Sequence, residues 1–459
     1  MASVVRWRWL FGIGFAVLAL ILGNIIAASL GKQAKGLFNL FQVFLVFQFV
    51  LGIGSRYLWR AVKLCLLGDA TPPLVTNQNL NNFNQATATY KGHVIPPKPS
   101  WPVRVVQTIV LIFLLLSHAS FLCVFFLVRT EPTPIAILLY TCLGFFGEIV
   151  LGLYFFNFVR WATSHVTKSL FKKNSELLSR RVTLFLAIAY GLSVGIYGFR
   201  QAGLPPTVKY TDVLLPKLSK SMDGYKIVQI SDIHLGPTVG RSQFNKVVQL
   251  VNRLDADAVV VVGDLVDSTV NNLHEAAEGL GDIKAKDGKY FVTGNHEYFS
   301  ADVDAWFKYA EDRGFTVLHN TNKKIQSSKD ERASICMAGV DDIQANALRY
   351  PGHGMDLNKA LKGCGKEGPV ILLVHQPKGA QIALDSKNDI QLILSGHTHG
   401  GQFFPFNIMI YLLNPFYKGL YSVGNSQVFV GQGTQYWGVP MRVGSQNEIS
   451  VLILRAKET

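Results

Sequence analysis

The sequence predicts an N-terminal bundle of five membrane-spanning helices, within residues 1–200, followed by an α/β domain formed by residues 201–459. Long apolar stretches occur only in the first part, whereas the second part contains short β-branched runs separated by helical patterns. The charges divide at the same place. Residues 1–200 hold 18 Lys and Arg against 4 Asp and Glu, and residues 201–459 hold 26 of each.

The composition excludes several classes of protein. Of the 459 residues, 49% are hydrophobic and 16% are charged, which is typical of neither a disordered chain nor an ordinary soluble enzyme. The net charge of +14 lies wholly in the apolar part. Because basic residues beside apolar segments report membrane orientation, we expect no nucleic-acid partner.

Five stretches are predicted to cross the membrane as helices, since lipid offers no partner to an unpaired backbone amide. They are residues 10–30, 37–54, 105–128, 135–159 and 182–199. A cleaved signal peptide is the alternative for the first stretch, but its apolar run is longer than a typical signal core. The intramembrane Glu148 is either a functional carboxylate or a neutral group at a helix interface; the lack of a second acid in these segments favours the latter.

The orientation follows from the Lys and Arg residues on alternate sides of the five predicted helices, which number 14 and 4. The positive-inside rule places the N-terminus in the cytoplasm. Five crossings then place residues 201–459 on the lumenal or extracellular face. Cys336 and Cys364 could pair in such a compartment, although the sequence alone does not bring them together.

Five short apolar runs in the second part are predicted to be strands covered on both faces. They are residues 226–231, 258–264, 289–295, 369–377 and 391–399. Between the first two, Phe244, Val247, Val248 and Val251 recur at helical spacing. The alternation indicates a layered α/β domain, in which ligand groups collect at the carboxyl ends of strands.

Each of these runs ends in polar side chains: Asp232, His234, Asp264, Asp267, Asn295, His296, Glu297, His375, His397 and His399. Oxygen donors mixed with imidazole nitrogens suit Mn, Fe or Zn better than calcium. A carboxylate such as Asp264 can bridge two cations held ~3.5–4 Å apart, the separation used for displacement at phosphorus. The pattern therefore predicts a site for two divalent metal ions.

These five blocks, in this order, resemble the signature of the calcineurin-like metallophosphoesterases over residues 224–456. Residues 396–402 (GHTHGGQ), 339–342 (GVDD) and 431–434 (GQGT), with Pro440 and Arg442, resemble its membrane-associated branch. The resemblance implies a four-layer αββα sandwich with two packed mixed sheets.

The resemblance also implies a role for each residue. One metal would be held by Asp232, His234, Asp264 and His399, and the second by Asp264, Asn295, His375 and His397. A hydroxide bridging the two ions would attack phosphorus. His296 would be catalytic, stabilising an equatorial oxygen or protonating the leaving oxygen. Asp267 or Glu297 would orient an imidazole.

The function so predicted is hydrolysis of a phosphoester or phosphoanhydride on a phosphorylated small molecule or lipid. Residues 403–413 are apolar but too short to span a bilayer. They either rest on the membrane, so that the site reaches a lipid-linked phosphate, or pack within their own domain. The alternative functions are an inactive binding or scaffold protein and, on the strength of Glu148, a transport protein.

Overall fold

The computed structural model of the chain describes residues 32–67, 89–90, 93–94, 99–166, 174–300, 302–365 and 368–457. The predicted helix at 10–30 lies outside these residues. The chain divides into two compact units. The first comprises Met1–Ala119 and Phe145–Val194, and the second comprises Ser120–Gly144 and Gly195–Thr459.

The described residues of the N-terminal part are mostly helical, with a pair of two-residue strands at Thr89–Tyr90 and His93–Val94. Its long helices are α1 (Lys32–Leu67), α2 (Trp101–Ala119, extended by short turns to Phe126), α3 (Pro134–Val166) and α4 (Asn174–Ala202). Among the described residues, three helical segments are long and apolar enough to cross a membrane: Trp101–Phe126, Pro134–Thr163 and Ser179–Ala202. The predicted stretch at 37–54 lies within α1.

Gln48 and Ser55 in α1 are hydrogen-bonded to His118 in α2. Gln48 Nε2 donates to the His118 carbonyl oxygen at 3.0 Å, and Ser55 Oγ lies 2.9 Å from His118 Nε2. His118 is therefore a packed, hydrogen-bonded residue. Glu148 is also buried, but its Oε2 atom has no hydrogen-bond partner.

The second unit contains two six-stranded sheets. Its strands are β1 (Thr207–Leu215), β2 (Lys226–Ile230), β3 (Ala258–Val262), β4 (Lys289–Val292), β5 (Phe315–Val317), β6 (Thr321–Gln326), β7 (Ser334–Gly339), β8 (Val370–Leu373), β9 (Leu392–Ser395), β10 (Gly419–Val423), β11 (Ser426–Val430) and β12 (Glu448–Ala456). One sheet has the order β1-β12-β2-β3-β4-β5, and the other β10-β11-β9-β8-β7-β6. Both are mixed, since β12 is antiparallel to β2, and β10 and β6 are antiparallel to their neighbours.

The shorter helices of this unit lie between its strands along the chain. They are α5 (Arg241–Arg253), α6 (Asn295–Phe299), α7 (Val303–Glu311), α8 (Ile343–Leu348), α9 (Pro377–Asp385) and α10 (Phe406–Leu413), with single turns at Val270–Leu273 and Leu357–Ala360. The five predicted strands appear as β2, β3, β4, β8 and β9. The predicted helix is α5, and the four apolar residues that predicted it are buried.

The strands are continuous apolar runs because alternating side chains are buried on opposite faces of each sheet. Along β3, Val259 and Val261 pack with α5 and α7, whereas Val260 and Val262 face the other sheet. A third apolar cluster packs α9 against the far face of the second sheet. The unit is thus a stack of helices, two sheets and helices, with each sheet buried on both faces.

Residues between α2 and α3 complete the N-terminus of α5. The Arg241 amide donates to the Thr130 carbonyl at 2.9 Å, and the Ser242 amide donates to Glu131 Oε1 at 2.8 Å. Gly240, which precedes the helix, has no side chain with which to cap it. A carboxylate at this position satisfies an unpaired amide and complements the positive end of the helix dipole.

A disulfide joins Cys336 in β7 to Cys364, with the two Cα atoms 5.6 Å apart. The structure thus makes the pairing that the sequence left open. The described cysteines outside this pair, Cys65, Cys123 and Cys142, are free.

Candidate metal centre

The predicted ligands lie on the loops that follow β2, β3, β4, β8 and β9, where the carboxyl ends of the two sheets meet. Five of the seven have a positive φ: Asp232, His234, Asp264, His397 and His399, at values between 51° and 69°. Residues other than glycine rarely adopt this conformation, and each such residue costs on the order of 1–3 kcal/mol when it is strained. The fold therefore holds these residues in an unfavourable backbone conformation that directs their side chains to one place.

One cluster brings together Asp232, His234 and His399. The Nε2 atoms of the two imidazoles lie 3.0 Å apart, and His399 Nε2 lies 3.5 Å from Asp232 Oδ1. The backbone amide of His397 donates to that same Asp232 oxygen at 2.9 Å, which leaves Oδ2 buried without a partner.

A second cluster brings together Asp264, His375 and His397. His375 Nε2 lies 3.1 Å from Asp264 Oδ2, and the same oxygen lies 3.7 Å from His234 Nε2 in the first cluster. Asp264 Oδ1 instead accepts the His296 amide at 2.8 Å. A single carboxylate oxygen therefore stands between the two clusters.

The free atoms of this site fit divalent cations. Asp232 Oδ2 and Asn295 Oδ1 are buried and have no hydrogen-bond partner, which is costly unless a ligand satisfies them. His375 Nδ1 donates to the Val262 carbonyl at 2.8 Å, an arrangement that holds a ligating imidazole in its tautomer. The donors are carboxylate, amide and imidazole, as Mn, Fe and Zn require.

The pKa shifts of Asp264, His397 and His399 agree with ligation, whereas burial lowers the pKa of His375 but Asp264 raises it well above its usual value. Burial acts to raise the pKa of Asp264, but His375 and His296 hold it well below its usual range, so this carboxylate is ionised. Burial and the adjacent His375 lower the pKa of His397 to about 3. Burial, His234 and Arg442 lower that of His399 well below its usual value. Both imidazoles are therefore neutral, the form in which histidine binds metal.

His296 differs from these ligands. Its Nδ1 lies 2.8 Å from Asp267 Oδ1, which leaves Nε2 for another partner, and its side chain is 15% exposed. Burial would lower its pKa, but Asp264 and Asp267 raise it to about 9. The two carboxylates thus favour the cationic form of His296, which lies at the edge of the site.

Asp267 orients two imidazoles, since its Oδ1 also lies 2.7 Å from His234 Nδ1. Glu297, the alternative for this role, does something else. Its carboxylate accepts backbone amides of Gly294 at 2.6 Å, Asp264 at 3.0 Å and Leu265 at 2.8 Å. Glu297 therefore fixes the loop that carries Asp264 rather than an imidazole.

Gly294 shows why the loops need glycine. A Cβ atom at this residue would collide with the carboxylate of Asp264, so the two loops could not approach.

The sequence did not indicate a role for Arg442 or Trp437. The guanidinium of Arg442 is fully buried and donates to the carbonyl oxygens of His399 at 2.6 Å and Gln432 at 2.9 Å. The Trp437 ring lies edge-on to His296, with 5.3 Å between centroids. Arg442 donates to backbone carbonyl oxygens and has no carboxylate partner among the described residues, so its role is to hold these loops together. Only the three-dimensional structure shows this role.

Asp341 and Asp342 hold loops, as ordinary turn chemistry predicts. Asp342 Oδ1 accepts the Gln344 amide at 2.8 Å and caps α8, and it also accepts Gln376 Nε2 at 2.8 Å. Asp341 accepts His319 Nδ1 at 2.7 Å and the Gly354 amide at 3.0 Å.

The chain is similar to known proteins over most of its length. A model of the calcineurin-like phosphoesterase family matches residues 225–401. The chain is 42% identical to a transmembrane protein with metallophosphoesterase domain from Danio rerio, over 95% of this chain and 94% of that one. It is 41% identical to the protein of that name from Bos taurus, covering 94% and 93%. A putative metallophosphoesterase from Caenorhabditis elegans is 32% identical, covering 86% and 85%.

Proposed function

Since this chain belongs to the calcineurin-like metallophosphoesterases and is similar throughout to transmembrane members, we propose that it is a membrane-anchored phosphohydrolase with two divalent metal ions. The observation that carries the proposal is the position of Asp264 Oδ2, which lies within 3.7 Å of imidazole nitrogens from both clusters. One oxygen placed between two ligand sets is the arrangement that a shared bridging ligand requires.

The first ion would be held by Asp232, His234 and His399 and the second by His375 and His397, with Asp264 shared between them and Asn295 added to the second. Manganese, iron and zinc suit this donor set. When bound, the ions supply an activated water for attack on phosphorus and neutralise the charge of the phosphoryl oxygens.

His296 supplies the proton. Its Nδ1 is paired with Asp267, which leaves the Nε2 proton for a bound phosphoryl group. As a cation paired with the Asp267 carboxylate, it would stabilise an equatorial oxygen or protonate the leaving oxygen. Asp267 keeps both His296 and His234 in the required tautomer.

The substrate in this proposal carries a phosphoester or phosphoanhydride, on a small molecule or on a lipid. An inactive binding or scaffold protein derived from the same fold would be expected to have lost part of the ligand set. All seven ligands and His296 are present, which favours the enzyme.

The proposed topology has five crossings within residues 1–200, a cytoplasmic N-terminus, and residues 201–459 on the lumenal or extracellular face. The Cys336–Cys364 disulfide supports this orientation, because disulfides persist in oxidising compartments. The bonds from Thr130 and Glu131 to α5 also support it, since they put the α2–α3 connection on the same side as the catalytic domain. Protease protection of sealed vesicles tests it: cleavage within 201–459 from the cytoplasmic side would refute it.

The activity is tested with the full-length protein, purified in detergent and loaded with Mn²⁺, on phosphomonoester, phosphodiester and pyrophosphate substrates. An Asp264→Ala variant is the control, because it removes the shared ligand. The proposal expects turnover of at least one substrate by the wild type and at least 10³-fold less by the variant. Equal rates would assign the activity to a contaminant, and bound metal without turnover would favour the scaffold.

A further inference from the structure

Helix α10 exposes an apolar surface beside the metal centre. Its residues are FNIMIYLL, none is charged, and none is buried. Six large side chains are between 42% and 73% exposed: Phe406, Ile408, Met409, Tyr411, Leu412 and Leu413. Exposed apolar patches of this kind mark sites that contact a membrane or a partner. The alternative of a loop packed within its own domain does not hold for these residues.

Gln402 connects α10 to the rim of the site. It follows the ligand His399 by three residues and precedes α10 by four. Its Nε2 donates to the carbonyl oxygens of Trp437 at 3.0 Å and Val439 at 3.1 Å, and its Oε1 accepts the Trp437 amide at 2.9 Å. The Trp437 ring, 52% exposed, lies next to His296. The start of α10 and the Trp437 loop therefore form one rim beside the proposed proton donor.

The same loop packs against the ends of two candidate spans. A Cβ atom at Gly144 in α3 would lie 2.8 Å from Val439 Cγ1, and one at Gly438 would lie 3.2 Å from the Tyr140 ring. Met441 packs against Gly198 in α4 in the same way. These contacts lie within the second unit. The rim is thus built on the helices that enter the membrane.

Helix lengths place this rim near the headgroups. The span Pro134–Thr163 has 30 residues and is ~45 Å long, whereas the hydrocarbon core is ~30 Å thick. The first turns of α3, which contact the rim, can therefore lie at headgroup level. Four residues connect Ala202 to Thr207 in β1 and reach at most roughly 14 Å, so the domain stays close to the bilayer.

Resting on the function proposed above, we propose that α10 and the Trp437 loop lie in the outer membrane interface and that the metal centre takes a phosphate carried on a lipid. The apolar side chains of α10 enter the acyl boundary, and the headgroup phosphate lies at the depth of the rim. A lipid is favoured over a protein partner because the Trp437 loop packs against Gly144 and Gly198, which lie in two helices long and apolar enough to span a membrane.

Pairs of substrates that share a headgroup test this inference in full-length protein in mixed micelles. The pairs are dioleoyl phosphatidate with glycerol 3-phosphate, phosphatidylethanolamine with glycerophosphoethanolamine, and farnesyl diphosphate with isopentenyl diphosphate. We expect kcat/KM at least tenfold higher for the lipid member of the pair that is turned over. The double variant Ile408→Ser/Leu412→Ser should reduce that ratio at least tenfold.

Val423→Ser is the matched control, since Val423 is an exposed apolar residue in the β10–β11 hairpin and should leave the ratio unchanged. A higher kcat/KM for the member without a long hydrocarbon chain would overturn the inference. So would a double variant whose ratio of kcat/KM values equals that of the wild type. If neither member of any pair is turned over faster than by Asp264→Ala, the proposed function itself fails, which is a distinct result.

Discussion

Replacing Asp267 with Asn tests the proposed role of His296 most directly. The carboxylate receives two imidazole contacts at one oxygen, 2.7 Å from His234 and 2.8 Å from His296, and its side chain is only 9% exposed. Asn keeps the shape but loses the charge. Loss of a carboxylate behind a ligating histidine typically costs 10–100-fold in metal affinity, and loss of a general acid costs 10²–10⁴-fold in rate.

Titration with Mn²⁺ separates the two effects. Saturating metal should restore occupancy yet leave kcat about 10²-fold below wild type, because His296 is no longer held as a cation. Removing a nearby negative charge lowers the pKa of His296, so its acid form is lost at lower pH. The alkaline limb of the kcat–pH profile should therefore move to lower pH.

Asp341→Asn is the matched control, since Asp341 also pairs with an imidazole, His319, at 2.7 Å but lies outside the ligand set. It should share any loss of stability and keep the wild-type pH profile. A kcat for Asp267→Asn within threefold of wild type, with the alkaline limb unmoved, would refute the reasoning about His296.

Three further predictions concern stability. Glu297→Gln should lower the free energy of unfolding by about 3 kcal/mol, because an amide has one accepting oxygen in place of the two that accept four backbone amides. Denaturant titration measures the change, and a value under about 1 kcal/mol would contradict the prediction. Chelation should lower the midpoint of thermal unfolding and abolish activity, both reversed by Mn²⁺, since each site occupied at 100 times its Kd adds about 2.7 kcal/mol. Converting Cys336 and Cys364 to Ser should cost roughly 3–4 kcal/mol for a loop of 28 residues, and an unchanged midpoint would argue that the bond is absent.

The strands, the helix α5 and the ligand residue types could be predicted, because hydrophobic periodicity and short sequence motifs indicate them. The runs at β2, β3 and β8 read as buried strands because apolar side chains cover both faces, and α5 showed its helical spacing. The strand ends supplied the ligand residue types. Their positive φ values were not predictable, because Asp232 and His399 adopt them only under the constraint of loops from several strands.

Long-range partners account for the rest. Glu297 lies beside a ligand in sequence, and only the structure shows that its carboxylate binds amides 31 to 33 residues away. Arg442 lies beyond the last ligand by 43 residues and still fixes the carbonyl of His399. No local pattern encodes such pairs.

The carboxylate of Glu131 has a practical implication for dissecting the protein. A fragment beginning at residue 201 would lack both Thr130 and Glu131, so the first turn of α5 would lose its two acceptors and Gly240 would face solvent. The fragment would also lack Tyr140 and Gly144, which contact the loop that contains Trp437. Kinetic measurements on such a fragment would describe a site whose rim lacks these contacts. A fragment that also includes the connection between α2 and α3 and the start of α3 would keep them.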